Sequence, residues 1–261
     1  MSIHPTAVVD AAAEIDPTAE IGPYAVIGPH VRIGADTWIG PHAVVTGRTT
    51  VGRENRIFQF ASVGEIPQDK KYAGEDSELV IGDSNTIREF VTLNCGTAQS
   101  HNRTRIGNRN WIMAYVHIAH DCVIGDDTTF ANGATLAGHV EVQDHAILGG
   151  FTLVHQFCRI GRHAFSGMGT ALNKDLPPFV LASGNLARPY GLNREGLRRA
   201  GFSEETMEAL ARAYKLMIRV SGGQPEEEEV SQLAGQYPEV EQMRAFIAES
   251  RRGIIREKHS D

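Results

Sequence analysis

The stretch Ile21-Gly22-Pro23-Tyr24-Ala25-Val26-Ile27-Gly28-Pro29-His30-Val31-Arg32-Ile33-Gly34-Ala35-Asp36-Thr37-Trp38-Ile39-Gly40 (IGPYAVIGPHVRIGADTWIG, 21–40) carries isoleucine at every sixth position, and a glycine after each one. The rhythm extends in both directions. Counted in sixes from Ile3, the first position reads Ile3, Val9, Ile15, Ile21, Ile27, Ile33, Ile39, Val45, Val51, Ile57 and Val63. The fifth position is small or modest throughout, from Ala7, Ala13 and Ala19 to Ala61. After a break the pattern returns at Ile81, Ile87 and Leu93, and after a second it runs from Ile106 to Leu172. A six-residue period fits neither a 3.6-residue helix nor a simple alternating strand. It is the signature of a parallel β-helix, in which each hexad gives a short strand and a corner and three hexads close one triangular coil. The aliphatic first residue and the small fifth residue are expected inside, with glycine relieving the corner. Each coil is stabilised by stacking on its neighbours.

The expected fold is therefore mainly β: a left-handed parallel β-helix of hexapeptide repeats over residues 1–190, then a small α-helical domain over 191–261. Two polar, turn-rich insertions interrupt the repeat, GEIPQDKKYAGEDSELV at 64–80 and AQSHNRTR at 98–105. The first preserves the phase and the second shifts it by one residue. Loops ejected from a repeat gather on one face, often the binding face. Beyond Pro177-Pro178 the pattern changes. Ser203 caps a predicted helix that begins with Glu204 and Glu205, runs through Met207, Leu210, Tyr214 and Ile218, and ends near Arg219 and Gly222-Gly223. Pro225 and Pro238 each open a further predicted helix.

Composition narrows the functional class. The 261 residues carry a formal net charge of -7, which speaks against a nucleic-acid surface. Cys95, Cys122 and Cys158 have no metal-ligand spacing and fit a reducing compartment. No signal peptide or membrane-length apolar run is seen, so a soluble cytoplasmic protein is expected.

Most of the eleven histidines are expected to be inert. His30, His42, His145 and His163 fall at the fourth position of ordinary hexads, where corner residues vary freely. His117, His120, His139 and His155 differ. Their spacings lie close to one eighteen-residue coil, so stacking about 4.8 Å apart would bring them to one edge. A neutral imidazole is suited to take a proton from a hydroxyl or amine near neutral pH. His120 is the leading candidate, because Asp121 can orient its ring and stabilise the imidazolium. Zinc held by three imidazoles is the competing chemistry.

Five runs carry a family resemblance: GEIPQDKKYAGE (64–75), AYVHIAHDC (114–122), ATLAGHV (134–140), LVHQFCRIG (153–161) and GLNREGLRRAGF (191–202). They resemble the UDP-N-acetylglucosamine acyltransferases that begin lipid A synthesis, over essentially the whole chain. The resemblance implies transfer of a 3-hydroxyacyl group from acyl carrier protein to the sugar 3-position of UDP-N-acetylglucosamine, by a homotrimer with clefts between subunits. No cofactor and no metal is implied. His120 would then be the general base, oriented by Asp121, and the Gly138 N–H the donor to the thioester oxyanion. His117, His139, His155 and Gln156 would position sugar and acyl chain. Asp69 would contact a sugar hydroxyl and Lys71 the diphosphate, with Asn193, Glu195 and Arg199 clamping the nucleotide.

Three departures from the family pattern stand out. Asn94 and Cys95 replace a common His-Arg before Gly96-Thr97. Ala200 replaces the second of two consecutive arginines. Met168 occupies the position where the resemblance implies a ruler for a shorter, decanoyl-like chain. Other readings remain at this stage: a 3-amino UDP-sugar acceptor, a zinc-dependent β-helix enzyme of the carbonic anhydrase type, and a non-catalytic scaffold.

Overall fold

The computed structural model describes residues 2–219 and 227–256. Among them, strands of mostly two residues form three sheets of eleven, nine and eight strands, parallel apart from one terminal hairpin. The chain winds as a left-handed parallel β-helix. Its three faces can be named from one coil: the first carries Trp111–Ile112, the second His117–Ile118 and the third Val123–Ile124. Each strand pairs with the equivalent residues of the next coil, as Ile21 pairs with Ile39 and Ile118 with Leu136.

The hexad pattern accounts for the core. Ile21, Ile27, Ile33, Ile39, Val45 and Ile57 are buried, as are the fifth-position residues Ala25, Val31, Ala43 and Ala61. Ile3, Val9 and Ile15, at the end of the described stack, are only partly buried. A ladder of polar interior residues is satisfied along the stack. The Asn55 Oδ1 accepts from the Asn85 backbone, the Asn85 Oδ1 from that of Asn110, and the Asn110 Oδ1 from that of Thr128. These bonds meet the requirement that buried amides find partners.

Two expectations about the corners need correction. The left-handed backbone lies at the fourth position, held by non-glycine residues such as Tyr24, His42, Asp121, His139 and His163. The glycine after each aliphatic residue serves a different purpose. A Cβ on Gly34 would stand 2.7 Å from the carbonyl of Gly52 in the next coil, so these glycines permit close approach between coils. The fourth-position histidines are consequently not free corner residues. Superposed corners stack their rings: His42 lies between Tyr24 and Phe60, and the column continues through Phe90 to Tyr115 at centroid spacings of 5.0–5.3 Å. His145 stacks on His163 at 4.6 Å. Burial, with His145 and Arg162 nearby, pushes the His163 imidazole down to about 4.

Strands also extend into the stretches expected as loop. Ser62–Glu65, Glu78–Ile81 and Arg103–Ile106 are all strand, which shortens the first excursion to 66–77 and moves the second to 95–102. The repeat ends in an antiparallel hairpin, Val180–Ser183 with Arg188–Leu192. A short helix α1 (Arg194–Arg199) follows, unannounced by the hydrophobic pattern. Helix α2 (Glu204–Tyr214) begins at the expected Ser203 cap but passes into a π-helical turn, Lys215–Arg219. Gly222-Gly223 and Pro225 lie outside the described residues. Helices α3 (Glu227–Gln236) and α4 (Pro238–Ala248) pack on each other, and Pro238 opens α4 as expected. The chain then returns to the prism, where buried Asp175 accepts from Ser250 Oγ at 2.7 Å and from the Arg159 backbone at 2.8 Å. Among the described residues no helix is long and apolar enough to cross a membrane.

Candidate active site

The corner between the second and third faces gathers the chemistry. His120 occupies the third position of its hexad and Asp121 the fourth, with φ +60. That backbone turns the carboxylate toward its own neighbour: the His120 Nδ1 pairs with the Asp121 Oδ2 at 2.8 Å. The carboxylate is wholly inaccessible to solvent, whereas the imidazole keeps a 13% exposed edge. One coil on, Gly138 lies against the ring. A Cβ there would come within 2.5 Å of His120 Cε1 and 2.7 Å of Nε2. Only glycine leaves the ring its place. Gly138 is buried, and no acceptor among the described residues takes its backbone N–H.

His139 completes the cluster. Its N–H donates to the His120 carbonyl at 3.0 Å, which ties the two coils together. Its ring meets His120 edge-on at 5.1 Å and stacks on Phe157 at 4.4 Å. Its Nε2 is 3.8 Å from Asp121 Oδ2. Burial lowers its basicity, partly opposed by Asp121. His117 stands on the second face with Nδ1 2.7 Å from Thr92 Oγ1, and burial with the neighbouring His120 lowers its pKa. His155 and Gln156 are exposed at the same corner one coil above Gly138. Between His117 and His155 the second face is a groove lined by Thr135, Ala137, Leu153, Ala171 and Leu186, mostly small or apolar.

The first excursion carries Asp69 and Lys71. Asp69 acts electrostatically on His139 and caps its own turn by accepting from the Lys71 N–H at 3.0 Å. The root of that excursion is pinned by the two departures from the family pattern. Asn94 Nδ2 donates to the Ile66 carbonyl at 2.9 Å, and the Cys95 thiol donates to the Gly64 carbonyl at 3.3 Å. Burial pushes the Cys95 thiol up to about 11, which suits packing better than reaction.

The remaining predicted residues lie elsewhere. Asn193 caps α1, accepting from the Gly196 N–H, and donates through Nδ2 to the His163 carbonyl on the corner between the third and first faces. Glu195 and Arg199 pair with each other at 2.9 Å beside it. Met168 stands 80% exposed on the corner between the first and second faces. A side chain this exposed does not fill a coil interior. Within one chain, then, His120, the Asn193–Arg199 segment and Met168 occupy three different edges.

His120, Asp121 and His139 each offer a ligand atom within 4.8 Å of the others. The donor set is two imidazoles and a carboxylate, not the three imidazoles of the zinc reading. The carboxylate also already accepts from the Thr97 N–H at 3.0 Å, the Thr97 hydroxyl at 2.7 Å and His120. That arrangement matches a carboxylate orienting a base. Thr97, Thr92 and Phe157 escape a sequence reading. Nothing local links Thr97 to a residue 24 positions away across an insertion.

Comparison with known proteins agrees with this geometry. Residues 103–138 match the bacterial transferase hexapeptide family (six repeats), and residues 175–255 match "Udp N-acetylglucosamine O-acyltransferase; Domain 2". The acyl-[acyl-carrier-protein]–UDP-N-acetylglucosamine O-acyltransferase of Janthinobacterium sp. (strain Marseille) is 58% identical over 263 residues, covering 97% of this chain and 99% of the relative. The structure of the Moraxella catarrhalis UDP-N-acetylglucosamine O-acyltransferase superposes with a TM-score of 0.94 at 46% identity, covering 98% of this chain and all of that one. That of the Francisella novicida UDP-N-acetylglucosamine acyltransferase gives 0.94 at 42% identity, covering 98% and 95%. With a relative of this identity aligned over nearly its full length, the chain belongs to the UDP-N-acetylglucosamine O-acyltransferase family.

Proposed function

We propose that this protein transfers a 3-hydroxyacyl chain from acyl carrier protein to the 3-hydroxyl of UDP-N-acetylglucosamine, the first step of lipid A synthesis. The carrying observation is the His120–Asp121 pair lying against the open Gly138 N–H, beside a mostly apolar groove. His120 Nε2 removes the proton of the acceptor hydroxyl as its oxygen attacks the thioester carbonyl. Asp121 steadies the imidazolium. Gly138 N–H donates to the developing oxyanion, a contribution of about 2.7–4 kcal/mol in comparable sites. Collapse of the tetrahedral adduct expels the carrier thiolate, which takes the proton from His120. The acyl chain lies along Leu153 and Leu186, with His117, His155 and Gln156 at its margin. Asp69 and Lys71 meet the sugar and diphosphate.

The assembly is a homotrimer in this reading. Asn193, Glu195, Arg199 and Met168 lie on edges away from His120, so a cleft between two copies is the arrangement that unites them. The enzyme works in the cytoplasm, where the carrier and nucleotide sugar are made. The test is product mass. The protein is incubated with UDP-N-acetylglucosamine, its 3-amino analogue and a ladder of 3-hydroxyacyl carrier thioesters. An ester of UDP-N-acetylglucosamine that disappears in His120→Ala supports the proposal. Amide from the amino analogue alone, or undiminished turnover in His120→Ala, refutes it.

A further inference from the structure

We infer that Thr97 is a positioning residue for the dyad, the third member of a relay running Thr97–Asp121–His120. The inference rests on the acyl-transfer reading above, but its structural basis is independent of the substrate. Thr97 is 1% exposed and Asp121 4% exposed, so their contacts form without competing water. The Thr97 N–H donates to Asp121 Oδ1 at 3.0 Å and its hydroxyl to Oδ2 at 2.7 Å. The same Oδ2 takes the His120 Nδ1 at 2.8 Å. A second threonine holds the backbone: the Asp121 N–H donates to Thr104 Oγ1 at 2.8 Å, fixing the left-handed corner.

Thr97 lies within the excursion at 95–102 and Thr104 in the strand that follows it. The excursion closes on Thr97, whose carbonyl accepts from the Ser100 and Asn102 N–H groups at 3.2 and 3.1 Å. Gly96 lets the strap cross tightly, since a Cβ there would lie 2.2 Å from the Arg103 nitrogen. The insertion thus reads as the device that brings two hydroxyls to bear on Asp121, Thr97 on its carboxylate and Thr104 on its backbone N–H. The Thr104 contact repeats one made at ordinary corners, where the Tyr24 and Asp36 N–H groups donate to Thr6 and Thr18, whereas the Thr97 contacts come from the insertion. A carboxylate with both oxygens fixed presents a single acceptor direction to His120. That keeps the proton on Nδ1 and leaves Nε2 free to act as base. Without the hydroxyl, a buried Oδ2 loses one of its two donors and the carboxylate can rotate about the remaining N–H bond.

The test uses the full-length protein and two variants, Thr97→Val and Thr97→Ser. Valine keeps the shape and the backbone donor while removing the hydroxyl. The expected result for Thr97→Val is a kcat lower by roughly 10–100-fold, the scale for groups that orient a working histidine. KM for the UDP-sugar should stay within about twofold, and Thr97→Ser should restore most of the rate. A purely structural role would move melting temperature without separating kcat from KM, and serine would not rescue it selectively. Ring 15N shifts of His120 provide a readout that needs no substrate, with Nδ1–H dominant in the wild type and a mixed tautomer in Thr97→Val. Unchanged kcat and unchanged ring shifts in a folded Thr97→Val protein overturn the inference. Absence of turnover by the wild type would instead refute the proposed function, and the 15N shifts would still decide the relay.

Discussion

Replacing Gly138 by alanine isolates the contact on which the proposed chemistry turns. The new Cβ would sit 2.5 Å from His120 Cε1, 2.7 Å from Nε2 and 3.1 Å from Nδ1. Ordinary contact begins at 3.4 Å, so the imidazole must retreat by roughly 1 Å. A displacement of that size at a reacting group can lower the rate about 10²-fold. It also draws Nδ1 from its 2.8 Å bond with Asp121. Gly138 is not among the glycines in the left-handed region, so alanine meets no backbone strain and the fold should tolerate it. Gly150 provides an internal control. It holds the same hexad position two corners along, and a Cβ there meets only the Asn132 carbonyl at 3.4 Å. The assay is the initial rate of ester formation from a 3-hydroxyacyl carrier thioester and UDP-N-acetylglucosamine, with melting curves alongside. The expected outcome is a kcat loss near two orders of magnitude in Gly138→Ala, and wild-type rates in Gly150→Ala, with similar melting in both. Full activity in a folded Gly138→Ala protein would refute the idea that His120 acts from its observed position.

Three further outcomes are expected. Met168→Gly should shift donor preference toward longer chains, each newly accommodated methylene contributing about 0.8 kcal/mol, close to a fourfold step in relative kcat/KM. An identical ranking of a thioester series by both proteins would remove Met168 as the ruler. Ala200→Arg, at the C-cap of α1, should tighten UDP-sugar binding measured by calorimetry, with a charged hydrogen bond worth about 1.5–3 kcal/mol at most. Unchanged or weaker binding contradicts a phosphate contact at that site. His163 should make stability depend on pH. Its folded pKa of about 4 lies below the ordinary histidine value near 6.5, so the unfolded chain binds the proton more readily. The stability of the neutral ring is therefore complete above about pH 6.5 and is lost progressively as pH falls toward 4. His163→Phe, whose ring can keep the stack on Phe179, should show a smaller fall in melting temperature between pH 7 and 4.5 than the wild type.

The corner histidines show how far the chain could be read before folding. Position four was recognisable in every hexad, and the near-coil spacing of His120, His139 and His155 placed them together in advance. The left-handed backbone at that position was not legible, because glycine, the usual marker of such a conformation, sits two residues earlier for a different reason. His163 reads as a variable surface residue in a hexad. It is half-buried because Phe179 and Phe202, supplied by the end of the repeat and the helical segment, close over it. The start of α2 was readable from Ser203 and its acids, whereas α1 was not, being one short turn shaped by Asn193 reaching to His163.

By itself the sequence determined the solenoid, since a six-residue period of buried aliphatic residues admits few other folds, and it marked His120 with the carboxylate beside it. Adjacent residues need no folding to meet. Only the tertiary structure decided what surrounds that pair: Gly138 lying against the ring, Thr97 gripping the carboxylate from the previous coil, and the groove along the second face. Those contacts join residues a coil or more apart; between Thr97 and Asp121 an insertion sets the spacing at 24 residues, and no local rule fixes where an ejected loop returns.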